Sequence, residues 1–291
     1  MKILLLANPD AANGRARRVL PRLLDFLHAR LPKLEYTPVH SAHELCRCAA
    51  EAARAAYDCV IAAGGDGTAH TALNGLVGSQ TALGILPLGK GNDLARALGM
   101  PLDPFAAAHT LTAVRASYID VVRTDSGFYA CVAGVGFDAL ANRYANRLAS
   151  PFSGHWHYLL GVLAALVVWK PMEVEVVTDS GEFRGSANLV AVANAPSYGG
   201  GLRIAPNAQL DDGSVNVCIV EAVSKRELAE TYPLLFSGQH LRRPFVRSFR
   251  AQEVSLRAPA GAELYADGEF LTRLPVTLRV APAHLRVLRV G

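Results

Sequence analysis

One stretch constrains this chain more than any other: DCVIAAGGDGTAHTALNGLV, from Asp58 to Val77. An apolar run ends in the glycine-rich segment GGDGT, after which alanines and leucines recur at helical spacing. The pattern predicts a strand, a glycine turn and a helix. Glycines let the backbone come close to a ligand, and the turn amides together with the helix N-terminus favour an anion such as phosphate. The stretch therefore predicts a nucleotide-binding turn.

Asp66 within this turn needs its own explanation, because a bare carboxylate would repel phosphate. A divalent cation, or its water shell, lying between the carboxylate and the phosphate would remove the repulsion. The alternative is that Asp66 and Thr68 merely cap the helix, since Asp and Thr are favoured at helix N-termini. The turn alone leaves both interpretations open.

The chain up to Val114 alternates strands and helices. Predicted strands cover Lys2–Asn8, Glu35–His40, Cys59–Ala63 and Ala82–Leu86; predicted helices cover Leu20–Leu31, Ser41–Ala56, Ala69–Leu76, Leu94–Leu98 and Phe105–Val114. Pro21 predicts a kink in the first helix or a later start for it. The alternation indicates a doubly wound parallel sheet that binds ligands at the carboxyl ends of its strands. A second glycine-bearing turn, LGKGND at Leu88–Asp93, lies at that edge.

From Ser117 onwards the pattern is mainly that of strands. They are predicted over Ser117–Arg123, Phe128–Ala133, Met172–Thr178, Phe183–Ala193, Ser214–Val220, Gln252–Ala258, Glu263–Tyr265, Val276–Val280 and Leu285–Val290, with helices near Ala139–Leu148, Tyr158–Trp169 and Lys225–Phe236. We predict an α/β N-terminal domain over residues 1–116 and a mainly antiparallel β domain over residues 117–291. The last strand is free to return to the first domain.

Composition narrows the class of protein. The net charge of the 291 residues is +4, which fits an anionic ligand or a membrane surface, and no basic stripe with interleaved aromatic residues points to nucleic acid. The five cysteines lack metal-ligand spacing, which is typical of reduced thiols in a cytoplasmic protein. The apolar run Tyr158–Trp169 is shorter than the roughly 20 residues that span a bilayer. It predicts a buried helix, with a lipid-facing helix as the alternative.

Two turns of the second half carry more carboxylate than a surface turn requires. The first, Ala205–Ser214, places Asp211 and Asp212 before a glycine. Spacing alone favours a solvated β-turn there over a site for a hard cation. The second is Asp267–Glu269, with the sequence DGE, and it is most simply a hairpin turn.

Five motifs occur in one order along the chain. They are GGDGT at Gly64–Thr68, LPLGKGND at Leu86–Asp93, AGVGFDA at Ala133–Ala139, the glycine- and acid-rich segment Gly199–Gly213, and DGE at Asp267–Glu269. Together they resemble the diacylglycerol kinase catalytic-domain family of lipid kinases, which includes bacterial lipid kinases and sphingosine kinases. The resemblance covers nearly the whole chain.

The resemblance implies a two-domain kinase with ATP on the α/β domain, lipid on the β domain and the active site in the cleft between them. It implies that the phosphates and a magnesium-bound water lie at the GGDGT turn, so that Asp66 belongs to the catalytic set. The implied nucleotide-binding residues are Asn8, His40, Gly64, Gly65, Asp66, Gly67, Thr68, Thr71, Lys90, Asn92 and Asp93.

The same resemblance implies roles for the two acidic turns. Asp267 would be the base that accepts the proton of the lipid hydroxyl, and phosphoryl transfer does need a carboxylate near the attacking group. In a regular strand Glu269 would share a face with Asp267 and help to hold metal. Asp212 matches a structural magnesium ligand, with backbone carbonyls expected from Gln209 and Ser214.

Three positions depart from the family pattern. Thr71 stands where an acid is usual after GGDGT, Lys90 replaces a Thr or Ser of the second turn, and His40 replaces a Thr at the end of strand two. Losing an acid and gaining an amine makes the site more positive, which would suit phosphate and lessen dependence on a metal–water bridge. Alternatively, Lys90 points to solvent or pairs with Asp93.

We therefore expect an ATP- and magnesium-dependent lipid kinase acting on diacylglycerol, a sphingoid base or phosphatidylglycerol. A lipid-binding pseudokinase that keeps the fold without turnover is the second interpretation, supported by Thr71, Lys90 and His40. A soluble-substrate kinase such as NAD kinase is the third, and the second and fifth motifs argue against it. Expected partners are a lipid substrate and the inner face of a membrane, touched peripherally from the cytoplasm, and the sequence is compatible with a homodimer.

Overall fold

A computed structural model describes residues 2–9, 15–137, 169–259 and 261–290. The chain divides into two compact units, Met1–Val121 with Pro282–Gly291, and Val122–Ala281. The predicted helix Ala139–Leu148, the predicted helix Tyr158–Trp169 apart from Trp169, and residues 10–14 of the first loop lie outside the described residues.

The first unit is an α/β structure. Its elements are β1 (Ile3–Ala7), α1 (Arg15–His28), β2 (Leu34–Pro38), α2 (Ala42–Arg54), β3 (Cys59–Gly64), α3 (Asp66–Leu76), β4 (Ala82–Pro87), α4 (Asp93–Ala97), α5 (Pro104–Leu111) and most of β5 (Arg115–Thr124). The strand order β4-β3-β1-β2 is parallel throughout. Every residue of β1, β3 and β4 is buried, which is typical of a parallel sheet covered on both faces. The predicted parallel sheet is confirmed.

Two helices show how local sequence sets the elements of this unit. Helix α1 begins at Arg15 and contains Pro21, so the predicted later start is wrong. It buries the apolar face made by Leu20, Leu23 and Leu27. Helix α2 is capped by Ser41, whose hydroxyl oxygen accepts the N–H of the third helical residue at 3.1 Å, as the Ser-x-x-Glu pattern predicts.

The second unit is mainly antiparallel β structure. Its elements are β6 (Gly127–Tyr129), β7 (Val132–Gly136), β8 (Met172–Thr178), β9 (Gly181–Ala193), β10 (Val215–Glu221), α6 (Lys225–Thr231), two 3-10 turns (Tyr232–Phe236 and Gln239–Arg242), β11 (Val246–Ala251), β12 (Glu253–Arg257), β13 (Glu263–Ala266), β14 (Glu269–Arg273) and the first part of β15 (Val276–Arg289). The strand order is β14-β13-β7-β9-β8-β12-β15, and β10 pairs with β9 and β11. Buried valines and leucines from these strands form the core of the unit. The predicted antiparallel class is confirmed.

Several predicted elements of this half are wrong in detail. Strands β11 and β14 were not predicted, because both are short and carry mostly exposed or half-buried side chains. The predicted strand Phe128–Ala133 is two strands, and the predicted helix Lys225–Phe236 changes into a 3-10 turn at Tyr232. The last two predicted strands are one, β15, which has a left-handed residue at Ala283 (φ 50°). The buried carboxylate of Asp120 accepts the N–H of Ala283 at 2.7 Å, which stabilises this irregularity within the first unit.

Candidate active site

The two glycine-bearing turns of the α/β unit are joined by Asp66. Its Oδ2 accepts the backbone N–H of Asn92 at 2.8 Å, and its Oδ1 accepts that of Asp93 at 2.6 Å. Both carboxylate oxygens of the turn after β3 therefore hold the turn after β4. Hydrogen bonds of an ionised acceptor are stronger than neutral ones, so this pair is a substantial link between the turns.

Asn92 shapes the second turn from inside. It is buried and lies in the left-handed region, with φ 53° and ψ 46°. Its amide oxygen accepts the N–H of Gly89 at 3.0 Å, and its amide nitrogen donates to the carbonyl of Gly89 at 2.9 Å. Asn tolerates left-handed backbone better than most residues, so one side chain provides both the unusual conformation and the bonds that close the turn.

The glycines of these turns are required by contacts within the protein. A Cβ on Gly89 would lie 2.4 Å from the Cα of Gly65, because the two turns are in backbone contact. A Cβ on Gly64 would lie 2.1 Å from the hydroxyl oxygen of Thr68, which packs over it. The close approach that the sequence suggested for a ligand is thus used, at these positions, to pack the turns against each other.

The N-terminus of α3 begins with a glycine. Gly65 is the cap residue, and it has no side chain with which to make a capping hydrogen bond. The alternative in which Asp66 and Thr68 cap the helix is therefore wrong, since the carboxylate of Asp66 bonds to the other turn instead. The first N–H groups of a helix and the helix dipole favour an anion at this position.

The remaining predicted nucleotide residues lie around the same edge of the sheet. Asn8 follows β1 and His40 follows β2, and these strands are neighbours in register, with Ala7 opposite Pro38. His40 is exposed and its N–H donates to the carboxylate of Glu44 at 2.8 Å. Thr71 is half-buried in the second turn of α3.

Asp267 of the β-rich unit is held by three backbone amides. It lies with Gly268 in the two-residue turn between β13 and β14, and both residues have positive φ, 51° and 87°. Asp267 Oδ2 accepts the N–H of Ala130 at 3.0 Å, and Oδ1 accepts the N–H groups of Cys131 and Val132 at 2.9 and 3.2 Å. This primed turn fits the twist of a hairpin, and it presents the carboxylate to the β6–β7 connection.

Tyr129 lies beneath this turn. Its ring is fully buried, and its hydroxyl donates to the carbonyl of Val192 at 3.1 Å. Burial raises the pKa of Tyr129 well above 10.0, and the charge of Asp267 raises it further. Tyr129 is therefore neutral and supports the turn. Neither Tyr129 nor the amides of the β6–β7 connection was predicted, because nothing in the local sequence YACV distinguishes a cradle from an ordinary strand connection.

Asp212 belongs to a closed ring of polar side chains. Its Oδ1 accepts both the N–H of Ser214, at 3.0 Å, and the Ser214 hydroxyl, at 2.8 Å. Its Oδ2 lies 2.9 Å from Nη2 of Arg250, and Arg250 Nε donates to the Ser214 hydroxyl oxygen at 2.6 Å. A guanidinium thus contacts the carboxylate that was expected to bind magnesium, and this donor set does not fit a structural cation.

Comparison with known proteins assigns the chain to a family. The family model described as "Diacylglycerol kinase catalytic domain" matches residues 2–124. The family model described as "YegS C-terminal NAD kinase beta sandwich-like domain" matches residues 131–289. A protein named diacylglycerol kinase from Mycobacterium tuberculosis (strain CDC 1551 / Oshkosh) is 34% identical over 99% of this chain and 95% of its own length. The chain belongs to the diacylglycerol kinase family. It is an enzyme of the lipid kinase class, as the motifs predict.

Other members of the diacylglycerol kinase family agree in sequence and in fold. A diacylglycerol kinase from Staphylococcus saprophyticus subsp. saprophyticus is 28% identical over 97% of this chain and 93% of its own length. The crystal structure of a diacylglycerol kinase from Bacillus anthracis str. Sterne superimposes with a TM-score of 0.77 at 20% identity, covering 100% of this chain and 97% of the other. Another solved structure from that strain gives a TM-score of 0.85 at 22% identity, covering 100% and 95%. These likenesses confirm the fold.

Kinases of this family use a nucleotide and usually a divalent metal. A Cβ on Gly91 would lie 2.5 Å from Oδ2 of Asp66 and 3.6 Å from Oδ2 of Asp93, so both carboxylates lie close to this glycine. Mg²⁺ beside phosphates is typically held by one or two carboxylates, so these residues fit it. Within the described ranges, no three His, Cys, Asp or Glu side chains converge as a metal site without a ligand's help.

One expectation from strand geometry is wrong in the structure, and two other expectations stay predictions. Glu269 does not share a strand face with Asp267, because Asp267 lies in the turn and Glu269 is the exposed first residue of β14, opposite Ala266. Lys90 is an exposed residue of the second turn. Its compensation for Thr71 stays a prediction, as does the role of Gln209, which is exposed near the Asp212 ring.

The cysteines and helices add two further facts. All five thiols are free, and burial raises the pKa of Cys59 and of Cys218 to about 12, so neither is a nucleophile at neutral pH. Among the residues that the structure describes, no helix combines the length and apolar character needed to cross a membrane.

Proposed function

We propose that this enzyme transfers the γ-phosphate of ATP, with magnesium, to the hydroxyl of a lipid. We propose diacylglycerol as the preferred lipid acceptor. The choice of lipid rests on the names of its relatives, which are diacylglycerol kinases at 34% and 28% identity over nearly the full chain. A sphingoid base and phosphatidylglycerol are the other acceptors with a suitable hydroxyl. The single observation that carries the proposal is the carboxylate of Asp267 fixed by three amides.

The geometry of Asp267 suits an acceptor hydroxyl. Three backbone N–H groups hold the carboxylate of Asp267 in one orientation. That orientation is fixed before the substrate binds, which reduces the cost of orienting the reacting groups. The transition state of phosphoryl transfer is loose, so catalysis depends mainly on positioning and electrostatic stabilisation, and a fixed carboxylate beside the acceptor hydroxyl contributes to the positioning.

The nucleotide is assigned to the edge formed by the two joined turns. The N-terminus of α3, whose cap residue Gly65 has no side chain, would bind a phosphate through its backbone N–H groups. The bond pair from Asp66 to the second turn fixes the position of Asp93 relative to α3. Magnesium would neutralise charge on the transferring phosphoryl group. The Oδ2 atoms of Asp66 and Asp93 are the groups of this unit that would hold it.

We further propose peripheral contact with the inner face of a membrane, from the cytoplasm. Five free cysteines support a reducing compartment. On the β-rich unit Phe236 is 52% exposed, and the 3-10 turn that follows it ends at the exposed Arg242, which suits an anionic bilayer. Co-sedimentation with phosphatidylglycerol vesicles tests this: binding should weaken in Phe236→Ser and in high salt. Equal binding to neutral vesicles, or none, would contradict it. The homodimer stays a prediction, and light scattering, which measures the mass of the particle in solution, would test it.

The experiment that tests the proposed reaction is a panel of acceptors with labelled ATP and magnesium. Diacylglycerol, sphingosine and phosphatidylglycerol are offered in mixed micelles, and NAD is offered in solution. We expect labelled phosphatidic acid as the main product. Labelling of sphingosine or phosphatidylglycerol instead would keep the lipid kinase and change the substrate. Labelling of NAD alone, or of nothing by a protein that still binds ATP, would refute the proposal.

A further inference from the structure

We propose that Arg250 is a built-in counter-ion that takes the place of a divalent cation at the turn before β10, so that this turn is stable without metal. The proposal concerns Asp212, which the family resemblance assigns to a structural magnesium. It is independent of the phosphotransfer reaction, since it is tested with neither nucleotide nor lipid.

The register of two strands places the guanidinium over the turn. Strands β10 and β11 are antiparallel, with Arg250 opposite Asn216. Ser214 precedes Asn216 by two residues, and side chains two residues apart on a strand share a face. The Arg250 side chain therefore reaches diagonally across the pair to Ser214, and one step further to Asp212, as the distances of 2.6 and 2.9 Å show.

The ring uses both carboxylate oxygens that a cation at Asp212 would need. The Ser214 hydroxyl donates to Asp212 Oδ1 and accepts a bond from Arg250 Nε, so the hydroxyl group belongs to the ring as well. Asp212 Oδ2 is taken by Arg250 Nη2. Mg²⁺ demands near-octahedral oxygen ligands. A cation at this carboxylate would have to displace the guanidinium and would be repelled by its positive charge.

Two neighbouring residues, Asp179 and Ser180, fix the backbone on either side of the Arg250 side chain. The Ser180 hydroxyl donates to the Arg250 carbonyl at 2.6 Å, and the carboxylate of Asp179 accepts the N–H of Gln252 at 3.0 Å. The Asp212 side chain is 17% exposed and that of Arg250 is 62% exposed, so the guanidinium lies on the solvent side of the carboxylate. This is the side from which a hydrated cation would arrive.

The test compares thermal unfolding in excess chelator and in millimolar magnesium, for the native chain and for Arg250→Gln. The native midpoint should be the same in both. Arg250→Gln should melt lower in chelator and regain roughly 2–4 °C in magnesium, the shift that about 1 kcal/mol of ion binding gives a unit of this size. The double variant Arg250→Gln/Asp212→Asn should lose that response. Arg247→Gln is the matched control, because Arg247 lies on β11 and pairs with Glu221, so its loss should create no magnesium response.

Two results would overturn the proposal. The first is a native protein whose unfolding midpoint falls in chelator, together with an Asp212→Asn variant whose midpoint does not. This result would place a cation at Asp212 beside Arg250. The other is an Arg250→Gln protein without any magnesium response, which would mean that the guanidinium does not occupy a cation position. If Arg250→Gln does not fold, Mn²⁺ titration of the native chain followed by electron paramagnetic resonance decides: the proposal requires the same Mn²⁺ stoichiometry as in Asp212→Asn.

Discussion

Replacing Asp66 with Asn tests whether this carboxylate joins the two nucleotide turns. An Asn side chain has one oxygen and one NH₂ group where Asp66 has two acceptors, so it can accept from the amide of Asn92 or of Asp93 but not from both. One N–H is left facing another donor. The substitution keeps the volume of the side chain, so any loss comes from these bonds.

The magnitude follows from the two bonds. A hydrogen bond to a charged group contributes about 1.5–3 kcal/mol, and a neutral one about 1 kcal/mol. By these values, replacing two charged bonds with one neutral bond costs about 2–5 kcal/mol, and we take the lower end, about 2 kcal/mol, because Asp66 is only half-buried. For a chain of this size that lowers the melting temperature by roughly 4–8 °C. If the loss is local, amide exchange at the second turn accelerates about 30-fold, the factor that 2 kcal/mol represents.

The assay measures hydrogen exchange at the backbone amides of Asn92 and Asp93 in the absence of nucleotide. The melting temperature is measured on the same proteins. Lys90→Thr is the matched control, because Lys90 lies in the same turn with its side chain exposed. We expect fast exchange in Asp66→Asn and native exchange in Lys90→Thr. Native protection at both amides in Asp66→Asn would refute the reasoning. ATP affinity of Lys90→Thr tests charge compensation separately, and an unchanged affinity would contradict it.

Three further perturbations follow from described contacts. Gly89→Ala should lower the melting temperature by several degrees and weaken ATP binding, because its Cβ would meet backbone at 2.4 Å; native values would contradict the packing of the turns. Tyr129→Phe should cost about 1 kcal/mol in denaturant unfolding, because it removes the buried hydrogen bond from the Tyr129 hydroxyl to the Val192 carbonyl; no loss would argue against that bond. Burial lowers the pKa of His240 below 6.5, so its contribution to stability is present above that pH and lost as pH falls. His240→Gln should therefore flatten the acid decline of the melting temperature, and an unchanged slope would exclude His240 as its source.

The parallel half of the fold was predictable because its signals are local. Each buried strand is a continuous apolar run that ends at a turn-forming residue, and the glycine turns mark the carboxyl edge. The functional edge follows from parallel order, because the carboxyl ends of parallel strands lie at the same edge of the sheet. The antiparallel half was less predictable, because β11 exposes its arginines and β14 emerges directly from the Asp267 turn.

The chemistry of the site was predictable in residue type and less so in contact. Asp66 and the amides it binds are 26 and 27 residues apart, and Asp267 is separated from its amides by 135 to 137 residues. A sequence does not show which backbone N–H groups will contact a distant carboxylate. The amides that bind Asp66 and Asp267 could therefore not be predicted from composition or motif. Arg250 was missed for a similar reason, since its position over Asp212 depends on the register of a strand that was not predicted.

The central claim is that Asp267 serves the acceptor hydroxyl of a lipid kinase. The most direct measurement is single-turnover transfer of labelled γ-phosphate to diacylglycerol by native protein and by Asp267→Asn, at saturating ATP and with ATP binding measured on both. We predict phosphatidic acid from the native enzyme and a fall of about 10²–10⁴-fold in the variant, the range for loss of a general base, with ATP affinity retained. A variant that transfers phosphate at the native rate, or a native enzyme that binds ATP and phosphorylates no lipid, would contradict the account.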